Sequence, residues 1–241
     1  MRAFLLLEVG MSFFDLEVLN ESAEFIVGSD EVGRGPLAGS VVACSVGVNR
    51  GELAQFVEQI RALGVTDSKK LTQKKREIIL TKLGIDYRNL KFKTKYSVGP
   101  ALFCLCEVGP AEIDKINILK SSLLAMDRSR LELNGGACEL WLVDGNRAPR
   151  PSNERLEVKC IVKGDQKSAL IGLASVIAKT YRDFLMQELA KVYPGYGLDK
   201  HAGYPTQSHR DAIATLGPSP IHRMSFKGVR EYVEISSGST K

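Results

Sequence analysis

Two acids stand side by side at Asp30 and Glu31 and are followed at once by Gly33, Arg34 and Gly35. Carboxylates are the hard oxygen donors that Mg²⁺ and Mn²⁺ prefer, and glycines let a backbone approach a ligand closely with its N–H groups free. Acid for a cation and base for a phosphate in one short run point to metal-assisted chemistry on a phosphate ester. The competing reading is a Gly-Pro hairpin with solvated charges at its tip. A tip does not need two crowded carboxylates, whose repulsion a bound cation relieves.

Asp144-Gly145-Asn146 and Lys163-Gly164-Asp165 repeat the theme, each following an apolar β-forming run. Asp30, Glu31, Asp144 and Asp165 therefore share one local setting, an acid beside a glycine where a strand ends. Open α/β sheets bind ligands at that carboxyl edge. Acids converging there from separate strands are what two divalent ions about 3.5 to 4 Å apart require. On spacing alone, Asp144 and Asp165 are read equally well as turn-forming acids of Asp-Gly and Gly-Asp pairs.

The elements that must position these acids follow from periodicity. Phe25-Ile26-Val27 feeds a strand into the first pair, and Val41 to Val46 begins the next. A helix is predicted from Glu52 to Leu63. The polar run Asp67 to Thr72 has N-cap chemistry for a second, charged helix reaching Lys82. Strands are predicted at Phe92 to Val98 and Ala101 to Val108. One long helix opened by Pro110 follows, with Ile113, Ile116, Leu119, Leu123 and Met126 as a core stripe. Strands from Glu139 to Val143 and Leu156 to Val162, a helix from Ser168 to Val192 and a short final helical region complete the chain. The boundaries read as an N-terminal appendage over 1–22, a catalytic domain over 23–192, a C-terminal substrate-contacting region over 193–234 and a loose tail over 235–241. There is no internal repeat.

The chain has 241 residues, 44% of them hydrophobic, which suffices for a sizeable core, and a net charge of +5. The excess base lies in the last two-fifths, consistent with a phosphate-backbone partner. Five cysteines without C-x-x-C spacing indicate a reducing compartment and argue against zinc. The apolar start, Phe4 to Leu7, is stopped by Glu8 with no small-residue cleavage site, and Met11 offers a second start. No apolar stretch reaches spanning length, so the expectation is a cytoplasmic protein without a membrane partner. His201, His209 and His222 have no ligand-like i, i+4 pair and are assigned structural or substrate-side roles.

Several motifs occur together in order over about residues 24 to 228: Asp30-Glu31-Val32-Gly33-Arg34-Gly35, Asp67-Ser68-Lys69-Lys70-Leu71, Ile116-Asn117-Ile118-Leu119, Val143-Asp144-Gly145-Asn146, Lys163-Gly164-Asp165, Ala174-Ser175-Val176-Ile177-Ala178-Lys179 with Arg182-Asp183, His201 with Gly203-Tyr204, and His222-Arg223 with Ser225-Phe226. In these the chain resembles the bacterial ribonuclease HII family. The resemblance implies an α/β, ribonuclease H-like fold with a mixed central β-sheet flanked by helices and a small helical C-terminal region. It implies an endonuclease that cuts the RNA strand of RNA–DNA hybrids and the 5′ side of single ribonucleotides embedded in duplex DNA; separately, a monomer is expected. Two divalent ions, Mn²⁺ or Mg²⁺, would be held by Asp30, Glu31, Asp144 and Asp165, with Asp30 bridging. The products would be a 3′-hydroxyl and a 5′-phosphate.

By the same resemblance, Gly33-Arg34-Gly35 reads the ribose 2′-hydroxyl and Tyr204 packs on the sugar of the following deoxynucleotide. Ser68, Lys69, Lys70, Lys163, Lys179 and Arg182 are expected on the phosphate backbone, with Asn146 and Ser175 as further substrate contacts. The chain departs from the family pattern at Ala202, where lysine is usual, and at Ser40, where proline is usual. Arg34 in the glycine element and the short N-terminal segment favour type HII over type HIII. A type HIII-like hybrid nuclease and a junction resolvase are the alternatives of the same fold. A non-catalytic nucleic-acid-binding protein is disfavoured, because four unbalanced acids would repel phosphate unless metal intervened. The motifs do not reveal any sliding-clamp contact.

Overall fold

The computed structural model describes residues 14–19, 22–65, 68, 70–135, 138–150 and 156–233. Lys69 and the 235–241 tail lie outside these residues. Six strands form one mixed sheet: β1 (Phe25–Val32), β2 (Val41–Asn49), β3 (Lys95–Val98), β4 (Ala101–Val108), β5 (Glu139–Asp144) and β6 (Leu156–Ile161), in the order β3-β4-β2-β1-β5-β6. Neighbours from β3 through β1 run antiparallel, whereas β1, β5 and β6 run parallel. In the antiparallel half only β3 and β4 are joined by a tight turn, whereas the helices Arg50–Ala62 and Gln73–Lys82 lie between β2 and β3. The parallel half delivers three strand ends to one edge, where the acids lie.

The helices are α1 (Phe14–Glu17), α2 (Arg50–Ala62), α3 (Gln73–Lys82), α4 (Pro110–Ile116), α5 (Ile118–Leu131), α6 (Gly164–Lys167), α7 (Ala169–Val192), α8 (Leu198–His201) and α9 (Gln207–Leu216). Alternation along the strands gives the sheet two apolar faces. Ile26, Cys44 and Leu142 face α7, whereas Val27, Ala43 and Trp141 share the opposite core with Ala125 and Met126 of α5. The long helix α7 crosses β1 at Gly28, where an added Cβ would lie 2.6 Å from the Ile171 backbone nitrogen. That close approach requires glycine.

Two sequence expectations on element boundaries are corrected. The helix opened by Pro110 is two helices: Asn117, at φ 69°, turns the chain between α4 and α5 and caps α5 by accepting from the Lys120 amide. Strand β3 starts only at Lys95, because Lys93 takes a positive φ of 56° that breaks extended structure. Residues 14–19 are packed on the domain, with Phe14, Leu16, Val18 and Leu19 against the core. Asp15 is buried and accepts from the Ser168 hydroxyl and, at 2.7 Å, from the Ala169 amide, so this segment caps the start of α7. At the other end, Tyr196, Leu198, Ile213 and Val229 form a third cluster with Leu37, Ala38 and Met186, which locks the C-terminal region to the loop after β1.

Candidate active site

Asp30 and Glu31 are the sixth and seventh residues of β1. Alternation sends them to opposite faces, Asp30 towards α7 and Glu31 towards α5. Asp144 ends β5, the parallel neighbour of β1, one residue beyond the last paired position Ser29–Val143. Asp165 follows β6 in the short helix α6 and is buried. The Gly164 amide before it donates a 2.7 Å hydrogen bond to Oδ1 of Asp144, which ties the third acid to the segment carrying the fourth.

These charges act on one another. Burial pushes Asp30 well above the usual carboxylate range, and the Glu31 and Asp144 carboxylates push it further. A hydrogen bond from Ser175 and another from the Glu31 amide, at 2.7 Å, work in the opposite direction. Burial also raises Glu31, with the nearby Arg34 guanidinium opposing it and Asp144 adding to it. Among the described residues, no three His, Cys, Asp or Glu side chains are gathered around one point as a closed metal cage. The donor chemistry nonetheless fits a hard divalent ion. Three mutually repelling carboxylates at a strand edge, one of them pushed well above the usual range by burial and by its neighbours, form a centre that a cation discharges.

A cavity of about 190 Å³ opens beside the acids. Glu31, Asp144, Arg34 and Asn146 give it a polar side, and Leu123 and Met126 of α5 give it an apolar wall. Leu119 and Leu123 are thus half-buried cavity residues, whereas Ile113 and Met126 of the same predicted stripe are core.

The glycine loop after β1 is held from beneath by two buried arginines. Arg182 donates from Nε to the Ser40 carbonyl, from Nη1 to Ala202 and from Nη2 to Ala38. Arg223 donates to the carbonyls of Gly39, Arg34 and Gly33. Burial and the like charge of Arg182 lower Arg223 to about 9. Gly33 has φ +93°, and an added Cβ would lie 2.3 Å from Nε of Arg182. The ring of Tyr204, 41% exposed, lies against the outer side of the loop, 3.6 Å from where a Gly35 Cβ would be. The acid pair, the glycine element and Tyr204 thus share one surface.

The expected backbone contacts divide. Lys70 and Lys163 are exposed, and Lys163 adopts a left-handed conformation before α6. Lys179 is half-buried and bound to Asp183 at 2.5 Å, which also pairs with Arg76 at 2.8 Å. Ser68 is buried with its hydroxyl 2.7 Å from that of Ser175, so this pair reaches Asp30 through Ser175. Arg182 is 0% exposed, and each of its nitrogens is bound to a carbonyl. Its place is under the loop, and the expectation of a phosphate contact there is corrected. Arg223 had no assigned role, because its sequence motif does not show that the side chain is buried. The three histidines also cluster: the rings of His201 and His209 stack at 4.5 Å, and Nε2 of His209 lies 3.2 Å from Nε2 of His222.

Comparison with known proteins is consistent with this layout. The profile of the family described as Ribonuclease HII matches residues 27–229. A ribonuclease HII from Ruegeria pomeroyi is 42% identical over 206 residues, covering 86% of this chain and 77% of the relative. One from Hydrogenovibrio crunogenus is 41% identical over 212 residues, covering 88% and 90%. Among solved structures, the ribonuclease H2 from Pyrococcus horikoshii superposes with a TM-score of 0.62 at 26% identity, covering 88% of this chain and 98% of that one. With a mixed six-stranded sheet, helices on both faces and this sequence identity across most of its length, the chain belongs to the ribonuclease HII family of endonucleases.

Proposed function

We propose that the protein hydrolyses the RNA strand of RNA–DNA hybrids and cuts on the 5′ side of single ribonucleotides in duplex DNA, leaving a 3′-hydroxyl and a 5′-phosphate. The observation that carries this reading is the shared surface of the acid pair, the Gly33–Gly35 backbone and the Tyr204 ring. A ribose bound against that loop has its adjoining phosphate within reach of the carboxylates.

Asp30, Glu31, Asp144 and Asp165 would hold the divalent ions. When bound, Mg²⁺ or Mn²⁺ supplies positive charge where the attacking and leaving oxygens gain negative charge. Ser175 and the Glu31 amide orient the Asp30 carboxylate through their hydrogen bonds. The Gly164 amide does the same for Asp144. Arg34, exposed and 3.3 Å from Glu31, balances that acid and stands at the cavity mouth facing incoming phosphate.

Selectivity belongs to the loop. The 2′-hydroxyl both donates and accepts, and it is the backbone group that distinguishes RNA from DNA. Carbonyls and amides on a backbone held by five arginine hydrogen bonds do not relax to accommodate a sugar lacking that group, so a deoxyribose leaves them unpaired. Tyr204 would pack on the next sugar, and Lys70 and Lys163 would bind phosphates.

The test is cleavage of four duplexes, with and without divalent metal: all-DNA, one embedded ribonucleotide, an RNA–DNA hybrid and a four-way junction. Metal-dependent cutting of the second and third is expected. Cutting of all-DNA as fast as the single-ribonucleotide duplex, or of the junction alone, overturns the reading. A type HIII-like enzyme would cut the hybrid and spare the single ribonucleotide.

A further inference from the structure

Beneath Tyr204, His209 and His222 are 0% and 1% exposed, and their hydrogen-bond partners constrain where their protons sit. At one end, Nδ1 of His209 lies 3.0 Å from the Tyr204 carbonyl. A carbonyl only accepts, so that nitrogen carries the proton, and in a neutral ring Nε2 then accepts. At the other end, Nδ1 of His222 lies 3.0 Å from the Ser219 amide, which can only donate, and 2.8 Å from the Ser219 hydroxyl, both nearer than the Ser219 carbonyl at 3.3 Å, so the amide assigns Nδ1 as the bare nitrogen and Nε2 carries the proton. The two Nε2 atoms face each other at 3.2 Å. Reasoning from either end gives the same junction, His222 donating and His209 accepting.

We propose that His209 and His222 are positioning residues for Tyr204, two neutral imidazoles forming a one-way hydrogen-bond chain from the Ser219 amide to the Tyr204 carbonyl. The surroundings reinforce it. The Tyr204 amide donates to the His201 carbonyl at 2.9 Å, so both backbone groups of the tyrosine are anchored on this cluster. His201 stacks on His209 at 4.5 Å and uses its own Nε2 on the Tyr196 carbonyl at 2.9 Å. The Tyr196 ring lies 4.9 Å from His222. A proton added to Nε2 of His209 or Nδ1 of His222 would set two donors face to face. Burial favours the neutral form of both rings in the same sense. The chain sets the height of the Tyr204 backbone, and so of its ring over Gly35. The functional half of this inference rests on the proposed contact between Tyr204 and the substrate sugar.

The test has two arms. Long-range proton–nitrogen NMR of the histidine-labelled full chain at pH 7.5 is expected to show His209 protonated on Nδ1 and His222 on Nε2, both neutral. The opposite tautomer at either ring, or an imidazolium, overturns the chain. In the kinetic arm, a duplex with one ribonucleotide is cut by His209→Leu, His209→Asn and Tyr204→Ala. His209→Leu should raise KM about tenfold, the equivalent of one lost hydrogen bond, with kcat within about twofold. Asn places an N–H where Nδ1 was, so His209→Asn should recover KM to within about threefold of the starting protein. A raised KM in Tyr204→Ala beside an unchanged KM in a folded His209→Leu overturns the positioning role and leaves the substrate contact standing. An unchanged KM in Tyr204→Ala overturns the substrate contact and the functional half of the inference with it, while the tautomers still decide the chain.

Discussion

The Tyr204 ring lies 3.6 Å from the point where a Cβ on Gly35 would sit, whereas a Cβ on Gly33 would lie 2.3 Å from Nε of the buried Arg182. The two glycines of one short motif therefore do different work. Gly33→Ala should cost about 2 kcal/mol or more of stability, through its φ of +93° and the clash with Arg182. Gly35→Ala should fold normally and lose cleavage of single-ribonucleotide duplexes. Urea unfolding and cleavage assays on both variants check this, and equal stability loss in the two would contradict it.

Asp30→Asn, Asp144→Asn and Asp165→Asn should each lower turnover by orders of magnitude with the fold intact, since each removes a ligand charge at constant size. Asp30 carries a further consequence. Its folded pKa is raised above 3.8, so the fold favours the protonated acid. Its contribution to stability is present below that ordinary value and lost as pH rises through the raised one. At pH 7.5 in a chelator, Asp30→Asn should therefore melt at a higher temperature than the starting protein. Divalent metal should raise the melting temperature of the starting protein more than that of the variant.

His222 titrates in the other sense. Burial and His209 hold it down at about 4, against an ordinary value of 6.5. The stability it contributes is whole above about 6.5, erodes as pH falls and is gone near 4, amounting to something on the order of 3 kcal/mol. The groups facing it are His209, Tyr196 and Ser219, and the depressed pKa of His209 acts in the same direction. Melting temperature against pH should fall across this window, and His222→Gln should flatten the curve. A curve unchanged by the substitution would contradict the assignment.

The lysines separate by their partners. Exposed Lys70 and Lys163 are the expected phosphate contacts, so Lys70→Ala and Lys163→Ala should each reduce the slope of log binding constant against log salt by about 1. Lys179 is already bound to Asp183, and Lys179→Ala should leave that slope unchanged. Salt titrations of duplex binding in Ca²⁺ distinguish the two classes.

Arg223→Lys tests the floor of the loop. One ammonium cannot reproduce a fork that reaches the carbonyls of Gly33, Arg34 and Gly39. Carbonyls left unpaired should cost about 2 to 4 kcal/mol, read from the shift in the urea midpoint. A shift within error would mean that the loop holds its shape without the arginine.

Much of this protein was legible in its sequence because the information is local. β-forming runs that lead into acids mark the strand that carries Asp30 and Glu31 and the strand end at Asp144, and the apolar period marks α7. Motif order identified the family, which the 42% identity to a known ribonuclease HII confirms. What remained hidden depends on long-range placement. Arg182 and an exposed basic residue look alike in sequence, and only the packing of α7 against the loop after β1 shows that its guanidinium meets carbonyls instead of phosphate. Asn117 interrupts an otherwise continuous helical period, because its own side chain caps the next helix and makes a positive φ tolerable. His201, His209 and His222 have no telling spacing, and the turns of the C-terminal region bring them together. Spacing along a chain reports neighbours on one helix or strand, whereas two imidazoles joined across separate segments, with a third stacked on them, exist only once tertiary burial has removed water and left protein groups as their partners.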